Sequence, residues 1–139
     1  MIVVDTNVIS ELMKSDRHRA VEDWLDLQSR STFYAATTSL AEIAFGIEKL
    51  PDGRRKTILR SIMNEVFNRY FLGRILPFDE TAARAYGRIV ASARTRGRAI
   101  LMADGQIAAI AQSQHFTVAT RDTAPFEAAG VPVINPWMM

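Results

Sequence analysis

Cysteine is absent from the chain, which excludes disulfides, thiolate zinc sites and cysteine nucleophiles together. Histidine is scarce, with only His18 and His115, so an imidazole-bound zinc is poorly supported as well. His18 stands beside two arginines on a polar face and His115 ends a helix, where an imidazole suits the dipole; both read as structural. No long apolar run exists either. A bilayer span needs roughly 20 predominantly apolar residues, and the alanine-rich 99–120 region is interrupted by Asp104, Gln106 and His115. Asp5 ends the only apolar N-terminal run and no basic residue precedes it, so no secretory signal is expected and the expected location is cytoplasmic, with no membrane partner. Internal repeats, low-complexity tracts and flexible linkers are also missing.

What is present suits one globular domain over residues 1–139, because 48% hydrophobic and 23% charged residues can bury an ordinary core without staples. Any metal would then be functional rather than structural. The net charge of +2 says little, but its distribution says more. Arg54, Arg55, Lys56, Arg60, Arg69, Arg74, Arg84, Arg88, Arg94, Arg96 and Arg98 crowd the middle of the chain. Two readings stay open, a polyanion partner and solvated helix faces.

Ile2-Val3-Val4 is β-branched and apolar throughout, as a strand buried on both faces of a parallel sheet should be. RHRAVEDWLDLQ is an amphipathic helix by period, and STFYAATTS reads as a second strand. Helical spacing resumes from Ser39 to Leu50, where Pro51-Asp52-Gly53 breaks it, and again from Arg54 to Tyr70. RILPF is a third strand, Asp79 caps the helix that follows, and Asp104 opens another. FTVAT and VPVIN complete five strands. Strands alternating with helices argue for a parallel α/β sheet covered on both faces with right-handed crossovers. Trp24, Phe67, Tyr70, Phe71 and the terminal Pro136-Trp137-Met138-Met139 suit either core or an interface.

Four acids fall at special places on this skeleton. Asp5 ends the first strand, Asp122 follows the fourth, Glu42 lies in the first turn of the helix after the second, and Asp104 opens the helix before the fourth. Strand carboxyl ends and helix amino ends share one edge of such a sheet, so the four can converge there. Each acid also has a plain structural reading: Ser39-x-x-Glu42 matches a capping box, Asp5 and Asp104 suit N-caps, and Asp122 suits a turn. If they converge, two carboxylates about 4 Å apart repel by roughly 4 kcal/mol at an effective dielectric near 20. A hard, oxygen-loving cation such as Mg²⁺ or Mn²⁺ would then be needed. Such ions activate water and clamp phosphodiester oxygens, which makes nucleic-acid hydrolysis the matching chemistry.

The segments IVVDTNVIS, TSLAEIAFGI, ADGQIAAIA and TVATRDTAPF resemble, in order and spacing, the signature blocks of PIN-domain ribonucleases. The likeness is to the VapC-type toxins of type II toxin-antitoxin systems and their FitB-like branch, which the closing VINPW also resembles. The resemblance implies a three-layer α/β/α PIN-like domain with a central parallel sheet of about five strands. It also implies a Mg²⁺- or Mn²⁺-dependent endoribonuclease toxin cutting RNA, assembled as a homodimer or a toxin-antitoxin hetero-oligomer. A cognate antitoxin would block the acidic pocket, and operator DNA would be met only through that antitoxin. Carried over by motif position, Asp5, Glu42 and Asp104 are metal-binding acids and Asp122 the fourth. Thr6 and Thr120 support them through their hydroxyls and Asn7 by orienting Asp5.

Two alternatives compete. A non-catalytic module of the same fold would bind RNA or an antitoxin and use its acids as caps. A phosphate-accepting receiver domain would need a Lys after its fifth strand, and VPVINP has none.

Overall fold

The computed structural model describes residues 1–139. Five parallel strands run in the order β3-β2-β1-β4-β5: β1 is Ile2–Val4, β2 Phe33–Ala36, β3 Ile75–Leu76, β4 Thr117–Ala119 and β5 Val133–Ile134. β1 is central because it alone is buried on both faces along its whole length. It pairs Val3 with Tyr34 of β2 on one side and with Val118 of β4 on the other. The helices are α1 (Thr6–Leu12), α2 (Arg19–Asp26), α3 (Thr37–Glu48), α4 (Arg54–Phe71), α5 (Glu80–Thr95), α6 (Met102–Gln114) and α7 (Ala124–Ala128). None is long and apolar enough to cross a membrane.

Strand pleat divides the core in two. Ile2 and Val4 point to one face, where Ile9, Trp24, Ile43, Phe67 and Phe71 from α1 to α4 cover them. Val3 points to the other, beneath Ala85 and Ile89 of α5, Ile107 and Ile110 of α6, and Phe126 of α7. Trp24, Phe67, Tyr70 and Phe71 are therefore core, and so is Pro136, whereas Met138 and Met139 are exposed. Arg74 anchors the β2 margin by donating to four carbonyls, those of Phe33 (2.9 Å), Arg30 (3.1 Å), Tyr70 (2.9 Å) and Leu72 (3.4 Å).

Helix α1 begins directly after Asp5, which caps it as the plain reading of that residue has it. Two other boundaries differ from the sequence reading, both near the acids. The second strand stops at Ala36, so α3 starts at Thr37 rather than Ser39, and Glu42 lies in its second turn, not its first. Helix α6 starts at Met102, which puts Asp104 inside the first turn rather than at the cap. Both helices begin behind apolar residues, Ala36 and Leu101, with no side-chain cap. The polar residues that looked like starting signals stand inside the helices instead. Asp79 does cap α5, accepting from the Ala82 N–H at 2.9 Å. His18 caps α2 through Nδ1, and His115 closes α6 in the left-handed conformation at φ 60°.

Helices α5 and α6 approach closely at Gly105, where a Cβ would stand 2.8 Å from Tyr86 Cε2 and 3.2 Å from Val90 Cγ2. Gly105→Ala is expected to lower stability by about 1–3 kcal/mol through overpacking and to displace the neighbouring Asp104. Scanning calorimetry checks it: an unchanged melting temperature would mean that the Tyr86 ring yields freely.

Candidate active site

The site grows from the exit of β1. Asp5 keeps extended backbone angles, and its N–H makes the last sheet bond, to Ala119 O at 2.9 Å. Its side chain, 5% exposed, accepts the Thr6 N–H on Oδ1 and the Thr120 hydroxyl on Oδ2, both at 2.8 Å. Thr120, fully buried at the end of β4, accepts in turn from Asp122 N (3.1 Å) and Asn7 Nδ2 (3.3 Å). Asn7 thus reaches Asp5 through Thr120.

Across the site, Thr6 Oγ1 lies 2.7 Å from Glu42 Oε1 and 2.9 Å from Ser39 Oγ. Thr6 Oγ1 has one proton and two acceptors in reach, Glu42 at the shorter distance and Ser39 beside it. The Ser39–Glu42 pair read as a capping box is a hydroxyl relay fastening α3 to α1. Ser39 is fully buried; its place in the site was missed because its spacing to Glu42 has that commoner explanation. Thr38 Oγ1 donates to Gln106 Oε1 at 2.9 Å and holds the starts of α3 and α6 together.

Asp5 is at once an N-cap and a member of an acidic group. Burial raises its pKa to about 6; the bonds from Thr120 and Thr6 oppose this, and the charges of Asp104 and Glu42 add to it. Half-buried Asp104 is also raised, first by burial and then by the charges of Asp122 and Glu42. Asp5, Asp104 and Glu42 are thus within electrostatic reach of one another, and Asp122 is within reach of Asp104. No lysine or arginine forms an ion pair with any of them. Glu42 and Asp122 are exposed at the rim.

No three acidic or histidine side chains are drawn together tightly enough to hold one metal ion as they stand. The donor set consists of carboxylate oxygens, which suits an oxygen-preferring ion such as Mg²⁺ or Mn²⁺ better than zinc, and Mg²⁺ usually keeps several waters beside one or two carboxylates. Asp5, which has no cation partner, and Asp104 are the residues best placed to supply those carboxylates, with Glu42 and Asp122 at the rim. Two clefts of about 430 Å³ each flank the group. One opens at Thr6 and Glu42 over Ile43, Ile47 and Leu59, with Arg55 at its side. The other opens at Asp104 and Asp122, with Arg98 at its side.

A parallel sheet presenting acids at its carboxyl edge defines the class, and the PIN domain family profile matches residues 2–131. The chain belongs to the PIN-domain family. Within it the chain is of the VapC and FitB type. It is 49% identical to the VapC ribonuclease Y4jK of Sinorhizobium fredii over 137 residues, covering 99% of this chain and 98% of that one. Toxin FitB of Neisseria gonorrhoeae is 43% identical over 137 residues, with 99% of each covered. The crystal structure of FitAcB from Neisseria gonorrhoeae has a TM-score of 0.92 at 42% identity, covering 100% of both chains.

The raised proton affinity of Asp5 makes its ionised form a burden on the fold. Stability from this group is full while it is protonated, falls as pH rises from about 4, and levels off above its folded pKa of about 6. With EDTA present, Asp5→Asn is therefore expected to raise stability at pH 8 by on the order of 2 kcal/mol, with the gain shrinking toward pH 4. Paired thermal melts across that range check it, and a variant less stable at every pH would refute it.

Proposed function

We propose that the protein is a Mg²⁺- or Mn²⁺-dependent endoribonuclease toxin of the cytoplasm, neutralised by a cognate antitoxin. The observation that carries this reading is Asp5: a buried carboxylate beside Asp104 and Glu42, with no cation of the chain's own. The ion, when bound, supplies water activation and charge neutralisation at a phosphodiester. The chain's own residues do the rest. Thr120 and the Thr6 N–H fix both oxygens of Asp5, so its free lone pairs keep one direction. Thr6 fixes Glu42 in the same way from α1. Asp104 and Asp122 complete the negative wall.

The surroundings support RNA as the substrate class. A cleft on each side of the acids suits an extended chain rather than a small ester, and Arg55 and Arg98, both without ion pairs or side-chain hydrogen bonds, stand ready for phosphates on either side. Not all the basic residues are free for this. Lys56, Arg60 and Arg84 pair with acids of their own neighbourhood, while Arg74 and Arg96 serve backbone carbonyls. Exposed Phe45 on α3 and exposed Leu101 and Met102 at the start of α6 give an apolar surface for assembly. This supports a homodimer or a toxin-antitoxin hetero-oligomer; in the latter, operator DNA would be reached only through the antitoxin. The name of the 43%-identical relative, Toxin FitB, supports the toxin role.

A non-catalytic module that binds RNA or the antitoxin is the second reading, favoured by the absence of a ready three-ligand cage. Cleavage of a mixed set of structured RNAs with Mg²⁺, Mn²⁺ or EDTA separates the two. Ion-dependent fragments are expected, with Asp5→Asn slower by at least about 100-fold. A rise in melting temperature with millimolar ion should accompany them. Ion-independent cutting, or cutting that survives in Asp5→Asn, would sink the proposal; no cutting together with a flat melting titration would favour the module.

A further inference from the structure

Arg121 stands between Thr120, which holds Asp5, and Asp122. It is fastened at three points. Its N–H donates to Asn7 Oδ1 at 3.3 Å, and its carbonyl accepts from Asn135 Nδ2 at 3.5 Å. Its guanidinium carbon lies 5.2 Å from the centroid of the Trp137 ring. Both tail residues belong to one device. Asn135 caps the terminal 3₁₀ turn Pro136–Met138 by accepting the Trp137 N–H at 3.0 Å. That turn packs on α2, with Trp137 seated against the core.

The guanidinium itself is unspent. It forms no ion pair, although an aspartate follows it in sequence, and none of its N–H groups has a hydrogen-bond partner in the chain. Stacking on an indole fixes the plane of a guanidinium while leaving its N–H edges free. Those edges match the oxygens of a phosphate. An arginine meant to neutralise the acids would pair with them, and one meant only to fasten the tail would not need to be exposed.

We infer that Arg121 is a phosphate-binding residue for the RNA strand beside the acids, and that Trp137, through the C-terminal turn, is its positioning residue. The inference rests on the nuclease reading for its substrate class. It assigns Trp137 and the C-terminal turn a part in substrate binding, and it adds to Arg55 and Arg98 a third cation, held just after β4.

The test uses the full chain and a labelled single-stranded RNA of mixed sequence, with binding read by anisotropy in EDTA over a salt series so that no cleavage intervenes. Arg121→Ala is expected to weaken binding roughly five- to tenfold at low salt and to reduce the salt slope by about 0.7, the value for one phosphate of a single strand. Trp137→Leu should lose most of the same affinity, Trp137→Phe should retain it, and Arg121→Lys should fall between. In ion-dependent cleavage the change should be larger in KM than in kcat. Circular dichroism melts run alongside; if Trp137→Leu does not fold, Arg121→Ala and Trp137→Phe carry the test. Arg121→Ala with lowered melting temperature but unaltered affinity and salt slope would reduce the stack to a tail fastening and overturn the inference, as would a parent protein that binds no RNA. A parent that binds RNA through Arg121 yet never cleaves it would leave this assignment standing and remove the nuclease reading instead.

Discussion

Two hydrogen bonds, from the Thr120 hydroxyl and the Thr6 amide, hold the carboxyl group of Asp5 where packing alone would reject it. Much else depends on that arrangement. Thr120 is 115 residues away in sequence, so the bond exists only because β4 lies directly beside β1. The Asp5 N–H completes the same seam through Ala119 O, and Asn7 and the Asp122 amide brace the Thr120 hydroxyl from the other side. From Thr6 the framework passes to Ser39 and Glu42, and from Thr38 to Gln106 beside Asp104. The acids are thus parts of one hydrogen-bonded edge, tied to the central strand of the sheet. An edge built this way keeps an ionisable group under burial, a local conflict with stability of the kind that marks functional sites.

Much of the architecture was legible because parallel sheets leave a strong pattern. Ile2-Val3-Val4 has no polar face, and helical periods separate it from the other apolar runs, so the layers and their shared edge followed from the sequence. The family blocks marked the same edge. What stayed illegible were the starts of the helices that carry the acids. α3 and α6 begin after Ala36 and Leu101, neither of which has a capping side chain. With no capping side chain at the true boundary, the nearby Ser39 and Asp104 carry the stronger helix-start pattern in the sequence. In the fold Ser39 is a buried partner of Thr6 and Asp104 a half-buried carboxylate facing other carboxylates. Side-chain partners across more than 30 residues, such as Thr6 with Glu42 or Asn7 with Thr120, have no local trace at all.

The two uncapped helices also change the electrostatics of the edge. Their first amides have no side-chain acceptor, and Asp104, in the first turn of α6, lies at the positive end of that helix dipole. This field partly offsets the repulsion among the acids within a turn of the helix, without placing a cation there. A capping serine or aspartate at position 36 or 101 would satisfy those amides and remove that influence from the site.

How the chain spends its cations argues in the same direction. Arg17 donates to Leu12 O and pairs with Glu22, buried Lys56 ties together Glu48 and Asp52, and Arg74 satisfies four carbonyls at the sheet margin. Arg96 closes on Ala128 O. Guanidiniums are plainly available to settle buried acceptors, and one more among Asp5, Glu42 and Asp104 would relieve the raised proton affinity of Asp5 and Asp104. The nearest arginine in sequence to Asp122, Arg121, is instead held on Trp137. If the acids served only as caps, an internal ion pair would stabilise the fold at no loss. Leaving them without one suits a site whose positive charge arrives from outside the chain, whether as a metal ion or as the guanidinium of a partner.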